Sequence, residues 1–272
     1  MNSHSSKPRA RFPAHVAAVQ SPAASTQIHR PQLPLSQAAA DSQRTSKPMG
    51  VGLDSSAVRQ GMVNRLRRLG GFPEPVLQAF ENIPRHLFVD SALVAQAYED
   101  TSLPIGLGQT ISKPSVVARM LTLLWEGSHA QMAQHLGRVL EVGTGCGYQA
   151  ALVSLLAADV VSIERIKPLH DAAVERLARL GLLQCSLVWA DGTLGYPSQA
   201  PFHSIIAAAG GDELPHAWLE QLAVGGRLVA PVHMPSAGGH VLLVVDRTTN
   251  GFIRQYHDAV HFVPLRMGTE LC

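Results

Sequence analysis

Between Arg138 and Ala230, short apolar runs alternate with stretches of helical spacing, and this alternation restricts the fold more than any other feature of the chain. Arg138–Val142, Val160–Ile163, Ser186–Trp189, Ser204–Ala207 and Arg227–Ala230 have the length and composition of buried strands. Gln149–Ala157, Leu169–Leu180 and Leu214–Leu222 read as helices between them. Strands that alternate with helices build an α/β fold: a doubly wound, mostly parallel sheet with helices on both faces. Val241–Val245 and Phe252–Tyr256, on either side of Thr249-Asn250-Gly251, read as a hairpin that closes the sheet with an antiparallel C-terminal edge.

Upstream, Val58, Met62, Leu66 and Leu69 fall at helical spacing, and Gly70-Gly71 ends that helix. Pro75 opens another, with Val76, Leu77 and Phe80 as its apolar face. Phe88-Val89 and Tyr98 belong to a lead-in before the sheet. Residues 1–54 are different in kind: rich in Ser, Ala, Pro and Gln, almost free of acids, and without a sustained apolar period. They read as a disordered extension, with a transit peptide as the alternative, and 55–272 as one domain.

Several classes of function are disfavoured. The formal net charge is +2 with no cluster of Lys and Arg, so no nucleic-acid partner is expected. No apolar run reaches the roughly 18 residues of a membrane span. The 13 His residues are scattered and show no metal-ligand spacing. Three cysteines without a C-x-x-C pair suggest a reducing compartment, hence a cytoplasmic protein.

Glu141-Val-Gly-Thr-Gly-Cys-Gly147 follows a predicted strand and precedes a predicted helix. Gly143, Thr144 and Gly145 can bring backbone close to a ligand, and Glu164, at the end of the next strand, can accept hydrogen bonds from ribose hydroxyls. Asp191-Gly192, past the third strand, can meet an adenine. Glu141 departs from the NAD form of such loops, because a buried acid there needs a partner. Cys146 reads as a small tolerated residue, since no His or Asn partner lies nearby in sequence.

The form E-x-G-x-G-x-G resembles the first motif of the Rossmann-like methyltransferases. S-adenosyl-L-methionine is then the implied cofactor, its cationic methionine portion a partner for Glu141. The resemblance narrows at Leu103-Pro-Ile-Gly-Leu-Gly-Gln-Thr-Ile-Ser-Lys-Pro114, which together with the glycine loop, S-I-E-R at 162–165, G-G-R-L-V-A-P-V at 225–232 and F-V-P-L at 262–265 is similar to protein-L-isoaspartate O-methyltransferases. These motifs span about residues 55 to 270. The resemblance implies repair of damaged proteins, by methylation of the free carboxylate of L-isoaspartyl and D-aspartyl residues. It places the active-site serine at Ser112, with Thr110 and Ile111 lining the site between cofactor and substrate. From spacing alone Ser112 reads equally as a cap for a helix that starts near Pro114. Pro264-Leu265 is expected either to close over the peptide or to form an edge strand. A monomer is expected, because loops of many proteins must reach the site. Two positions depart from the family: His203 where A-P-F-D is common, and His233 where P-V-G is common. The alternatives are a methyltransferase of this fold with another acceptor, a nucleotide-binding relative without activity, and a nicotinamide dehydrogenase.

Overall fold

A computed structural model describes residues 56–182 and 184–271; the expected extension over 1–54 lies outside them. Helices α1 (Ser56–Leu69) and α2 (Glu74–Asn82) come first, and two 3-10 turns then lead to a small hairpin of β1 (Leu103–Gly106) and β2 (Gln109–Ile111). Helices α3 (Pro114–Trp125) and α4 (Ser128–Ala133) follow. The alternating part of the chain then runs β3 (Arg138–Val142), α5 (Tyr148–Ser154), β4 (Asp159–Glu164), α6 (Lys167–Arg179), β5 (Cys185–Trp189), β6 (Phe202–Ala207), α7 (His216–Gln221) and β7 (Leu222–Met234). It closes with β8 (Gly239–Thr248) and β9 (Gly251–Val260).

Seven strands form one sheet in the order β5-β4-β3-β6-β7-β8-β9. β3 to β7 are parallel, and β8 and β9 return antiparallel, as the hairpin pattern predicts. Successive side chains of a strand point to opposite faces. Val139 accordingly packs into the core under α1, α2, α3 and α5, while Leu140 and Val142 pack on the opposite face with Trp218 of α7. Helices cover both faces, unequally. β7 to β9 are longer than the apolar runs alone suggest, because their ends pair across the edge hairpin with polar residues that carry no apolar signal.

Chain order reverses at β3, whose neighbours are β4 on one side and β6 on the other. In open α/β sheets the crevice beyond the carboxyl ends of such strands is where ligands bind. The glycine loop leaves β3 at this crevice. Gly143, Gly145 and Gly147 have φ of 92, 56 and 91°, a region that L side chains avoid. At Gly147 a Cβ would also lie 2.6 Å from Leu177 Cδ1 of α6, so glycine lets α5 start against that helix.

Candidate active site

A cavity opens at the reversal point, where ligands bind in open α/β sheets. Its floor is the glycine loop with Ile163 and Glu164; one wall is the β1–β2 hairpin through Thr110, Ile111 and Ser112; the other is Ala208-Ala209 with the C-terminal segment Val263–Arg266. Eight of the predicted site residues therefore meet in one place: Thr110, Ile111, Ser112, Gly143, Thr144, Gly145, Glu164 and Gly192. Residues 103–112 and 141–147 are distant in the chain, and nothing in their separate patterns requires this encounter.

Glu164 fixes the loop from below. Its two carboxylate oxygens accept from the amides of Gly145 (2.8 Å) and Ile166 (2.9 Å), and the side chain is 4% exposed. Each oxygen keeps a lone pair for a further donor. The loop amides of Gly143 and Thr144 donate to Ile163 O at 2.8 and 3.2 Å, which ties β3 to β4 directly beneath the turn.

Glu141 and Asp191 do not line the cavity. Glu141 is fully buried on the α5 side of the sheet, where it accepts from Gln149 Nε2 (3.0 Å) and from the Ser162 hydroxyl. Ser162 in turn contacts the Thr144 hydroxyl at 2.6 Å, so a chain of hydrogen bonds runs from α5 to the glycine loop. The partner that a buried acid demands is thus supplied by the protein itself. Burial raises the Glu141 carboxyl to about 7, although the bonds from Ser162 and Gln149 oppose the shift. Asp191 caps the turn Gly192–Leu194 through Thr193 N (2.9 Å) and holds Gly268 N (2.6 Å). Burial raises its pKa, but these bonds outweigh it, and the net shift is downward. Gly192 alone of this pair faces the cavity, and its carbonyl accepts from Trp218 Nε1 at 2.8 Å.

Ser112 directly follows β2 and does not cap α3. That helix starts at Pro114, with Lys113 at the cap position and no bond from its side chain. The free amide and the hydroxyl of Ser115 are taken instead by Asp100, each at 2.8 Å. The Ser112 carbonyl accepts from Arg85 Nη2 at 2.8 Å. Gly106, Leu107 and Gly108, with φ of 88, 53 and 69°, form the sharp turn that carries β2 back toward the loop. Pro264 bridges Gly210, and the amides of Gly210 and Leu265 close the pair at 2.9 and 2.7 Å; the segment walls the cavity and forms no strand. Its end is latched to the turn between β4 and α6 by the Arg165–Glu270 ion pair (2.7 Å) and by Lys167 N to Glu270 O (2.8 Å).

Sequence reasoning passed over Asp100, Gln149 and Arg85. Each acts through a partner outside its own helix, strand or turn, so spacing within one element holds no sign of them. Cys146 is buried at the loop, and burial pushes its thiol up, consistent with a tolerated small residue and not a nucleophile. The two departures leave the cavity intact. His203 lies at the start of β6, at the other end of the sheet, where its Nδ1 accepts the Arg138 amide at 3.1 Å. A carboxylate would meet the same donor. His233 is not in a glycine conformation, and its Nδ1 stands 3.5 Å from Asp212. Among the described residues no group of His, Cys, Asp and Glu could hold a metal ion, and no helix is long and apolar enough to cross a membrane.

The profile of the protein-L-isoaspartate(D-aspartate) O-methyltransferase family matches residues 57–270. A protein-L-isoaspartate O-methyltransferase of Methylibium petroleiphilum is 51% identical over 267 residues, which cover 97% of this chain and 98% of that one. The match therefore extends well into the segment before residue 57. One from Leptothrix cholodnii is 56% identical over 242 residues, 89% of this chain and 84% of its own. Among solved structures, a protein-L-isoaspartate O-methyltransferase at 27% identity superposes with a TM-score of 0.68 over 77% of this chain and 67% of that one. A Plasmodium falciparum beta-aspartate methyltransferase in complex with S-adenosyl-L-homocysteine, 23% identical, shares the fold with a TM-score of 0.63 over 76% of this chain and 98% of its own. With the family profile matched over residues 57–270 and relatives more than 50% identical over most of their length, the chain belongs to the protein-L-isoaspartate O-methyltransferase family.

Proposed function

We propose that the enzyme takes the methyl group from S-adenosyl-L-methionine, holds the acceptor carboxylate at Ser112, and serves L-isoaspartyl and D-aspartyl residues alike. Membership of the family makes the chain a carboxyl methyltransferase that repairs damaged proteins at L-isoaspartyl residues. The donor and the residue roles are the further reading.

The residues present suit that donor. The loop glycines bring bare backbone to the cavity, Glu164 stands beneath it with lone pairs to spare, and Gly192 opens the adjoining wall. When bound, the donor supplies an electrophilic methyl group on a positive sulfonium. Glu141 acts at one remove, through Ser162 and Thr144, by holding the loop in shape.

The observation that carries the reading is the meeting of Ser112 with the glycine loop in a cavity that offers no competent base. Among the described residues the lining includes neither His nor Lys, and its one acid, Glu164, is already engaged by two backbone amides. Burial raises the Tyr148 hydroxyl above its ordinary value, so it stays protonated. A carboxylate acceptor, with a reference pKa near ~4, is ionised at neutral pH and needs no base. What remains for the protein is to position it and exclude water, and near-attack positioning is worth up to about 7–11 kcal/mol. In this reading the Ser112 hydroxyl, not spent on a helix cap, donates to one carboxylate oxygen while the other faces the methyl group; that Ser112 lines the cavity supports it. We further place the reaction in the cytoplasm and expect a monomer, with residues 1–54 as an extension outside the catalytic domain.

Transfer of labelled methyl from S-adenosyl-L-methionine to matched peptides tests this. Base-labile label on the L-isoaspartyl peptide and none on its L-aspartyl twin is expected. Label on both would overturn the acceptor specificity while leaving the donor in place; label on neither would overturn the proposed reaction.

A further inference from the structure

Arg85 is a complete charge sealed inside the protein, 0% exposed. Removing a cation from water costs several kcal/mol unless it is well paired. Among the described residues no carboxylate forms an ion pair or hydrogen bond with it: Asp100, an acid near enough to act on it through space, spends both oxygens on Ser115. Arg85 is held by carbonyls instead, its Nε donating to Ala97 O at 2.8 Å and its Nη2 to Ser112 O at 2.8 Å. The guanidinium also sits over the ring of Tyr148, 4.8 Å from its centroid. Nη1 and the Tyr148 hydroxyl are both buried, and the guanidinium and the hydroxyl interact with each other, with no further side-chain partner for either atom among the described residues. Desolvation lowers the Arg85 pKa, but a guanidinium starts so high that it stays charged.

The partners of this residue are informative. Ser112 directly follows β2, and Tyr148 is the first residue of α5, directly after the glycine loop. The β1–β2 hairpin pairs with no strand of the large sheet. Its serine therefore cannot take its distance from the loop from a shared ladder of hydrogen bonds. A single planar group that grips the serine backbone and lies on the first side chain past the loop supplies that reference. Lysine could keep the charge but not the fork, since only a guanidinium presents donors in fixed directions to two carbonyls and a flat face to a ring.

We propose that Arg85 is a positioning residue for methyl transfer: it fixes the Ser112 backbone and the Tyr148 ring together, and so sets the gap between acceptor and cofactor loop. This rests on the reading of Ser112 given above. If Arg85 works through Ser112, its loss misplaces the acceptor without disturbing the loop, and misplacement by about an ångström can cost on the order of a hundredfold in rate.

The test is a double-mutant cycle of Arg85→Lys and Ser112→Ala, assayed on an isoaspartyl peptide where thermal unfolding shows all four proteins folded. Arg85→Lys is expected to lower kcat by about tenfold or more while the dissociation constant of S-adenosyl-L-homocysteine changes by less than about threefold. In the Ser112→Ala background the same change should cost less than about threefold, because the group it positions is gone. Additive losses, or a fall in kcat matched by a fall in affinity for S-adenosyl-L-homocysteine, would overturn the role of Arg85 alone. Unchanged kcat in Ser112→Ala would instead overturn the reading of Ser112 beneath it. Arg85→Gln, which removes the buried charge and keeps one donor, is the second variant, and failure of both variants to fold would assign Arg85 to stability and reject the proposal.

Discussion

The floor of the cavity and its hairpin wall are built in opposite ways. The floor hangs from the sheet: the glycine loop follows β3 directly, its amides bond to β4, and Glu164, Ser162 and Glu141 hold it from beneath. The wall that carries Ser112 is a two-stranded hairpin outside the sheet, with a turn whose tip, Leu107, is 50% exposed, and it is tied down by Arg85 and Asp100. The first half is made by strand order, the second by a few side chains reaching across the chain. Damage to the floor should therefore cost stability and cofactor affinity together, whereas damage to the hairpin wall should cost turnover.

The largest effect is expected at Gly147→Ala. A Cβ there meets Leu177 Cδ1 at 2.6 Å, in a backbone conformation of φ 91°. Strain and overpacking together should remove about 2–4 kcal/mol of stability. Denaturant unfolding would measure it, and binding of S-adenosyl-L-homocysteine should weaken in parallel. Stability close to that of the parent would break the comparison at its strongest point.

Glu141 comes next and sharpens the floor's side of the contrast. Its carboxyl is raised from 4.5 to about 7, so the folded protein holds the proton more tightly than the unfolded chain. The stability from this group is present in full below the lower value and is lost as pH rises through the upper one, up to about 3 kcal/mol in all. Glu141→Gln does not titrate. The unfolding free energy of the parent should fall relative to this variant between pH 4.5 and about 7. A difference that stays flat across that window would mean that Glu141 is ionised in the fold.

A smaller effect is expected at Glu164→Gln. A carboxylate accepts at both oxygens; an amide has one acceptor, so either Gly145 N or Ile166 N would face another donor. Loss of such a bond to a charged group should weaken S-adenosyl-L-homocysteine by about tenfold, measured by calorimetry. The smallest belongs to His203→Asp, at the far end of the sheet. The new carboxylate can accept the Arg138 amide as His203 does, and kcat should change by less than about twofold.

The same division decides how much was legible in the sequence. Strand positions and the glycine loop are local signals: periodicity, branched residues, and glycines where the chain must turn tightly. They place β3 to β9, Gly143, Gly145, Glu164 and Gly192 from the residues alone. Ser112 is not legible in that way. Its spacing fits a helix cap, and only the resemblance of its segment to a family lifts it to a site residue. The cap turned out to be Asp100, 15 positions before the Ser115 it binds. Glu141 was identified as a buried acid in need of a partner, but the partners, Gln149 and Ser162, lie on a neighbouring helix and strand. A period or a spacing reports on one element at a time, and contacts between elements leave no trace in it.

Ser112→Ala tests the division between floor and wall most directly, with kcat on an isoaspartyl peptide measured beside the dissociation constant of S-adenosyl-L-homocysteine. Losing one hydrogen bond to a charged oxygen, about 1.5–3 kcal/mol, predicts a fall in kcat of roughly ten- to a hundredfold, with cofactor affinity within about twofold of the parent. Unchanged turnover, or affinity that falls as far as turnover does, would contradict an acceptor wall separate from the cofactor floor.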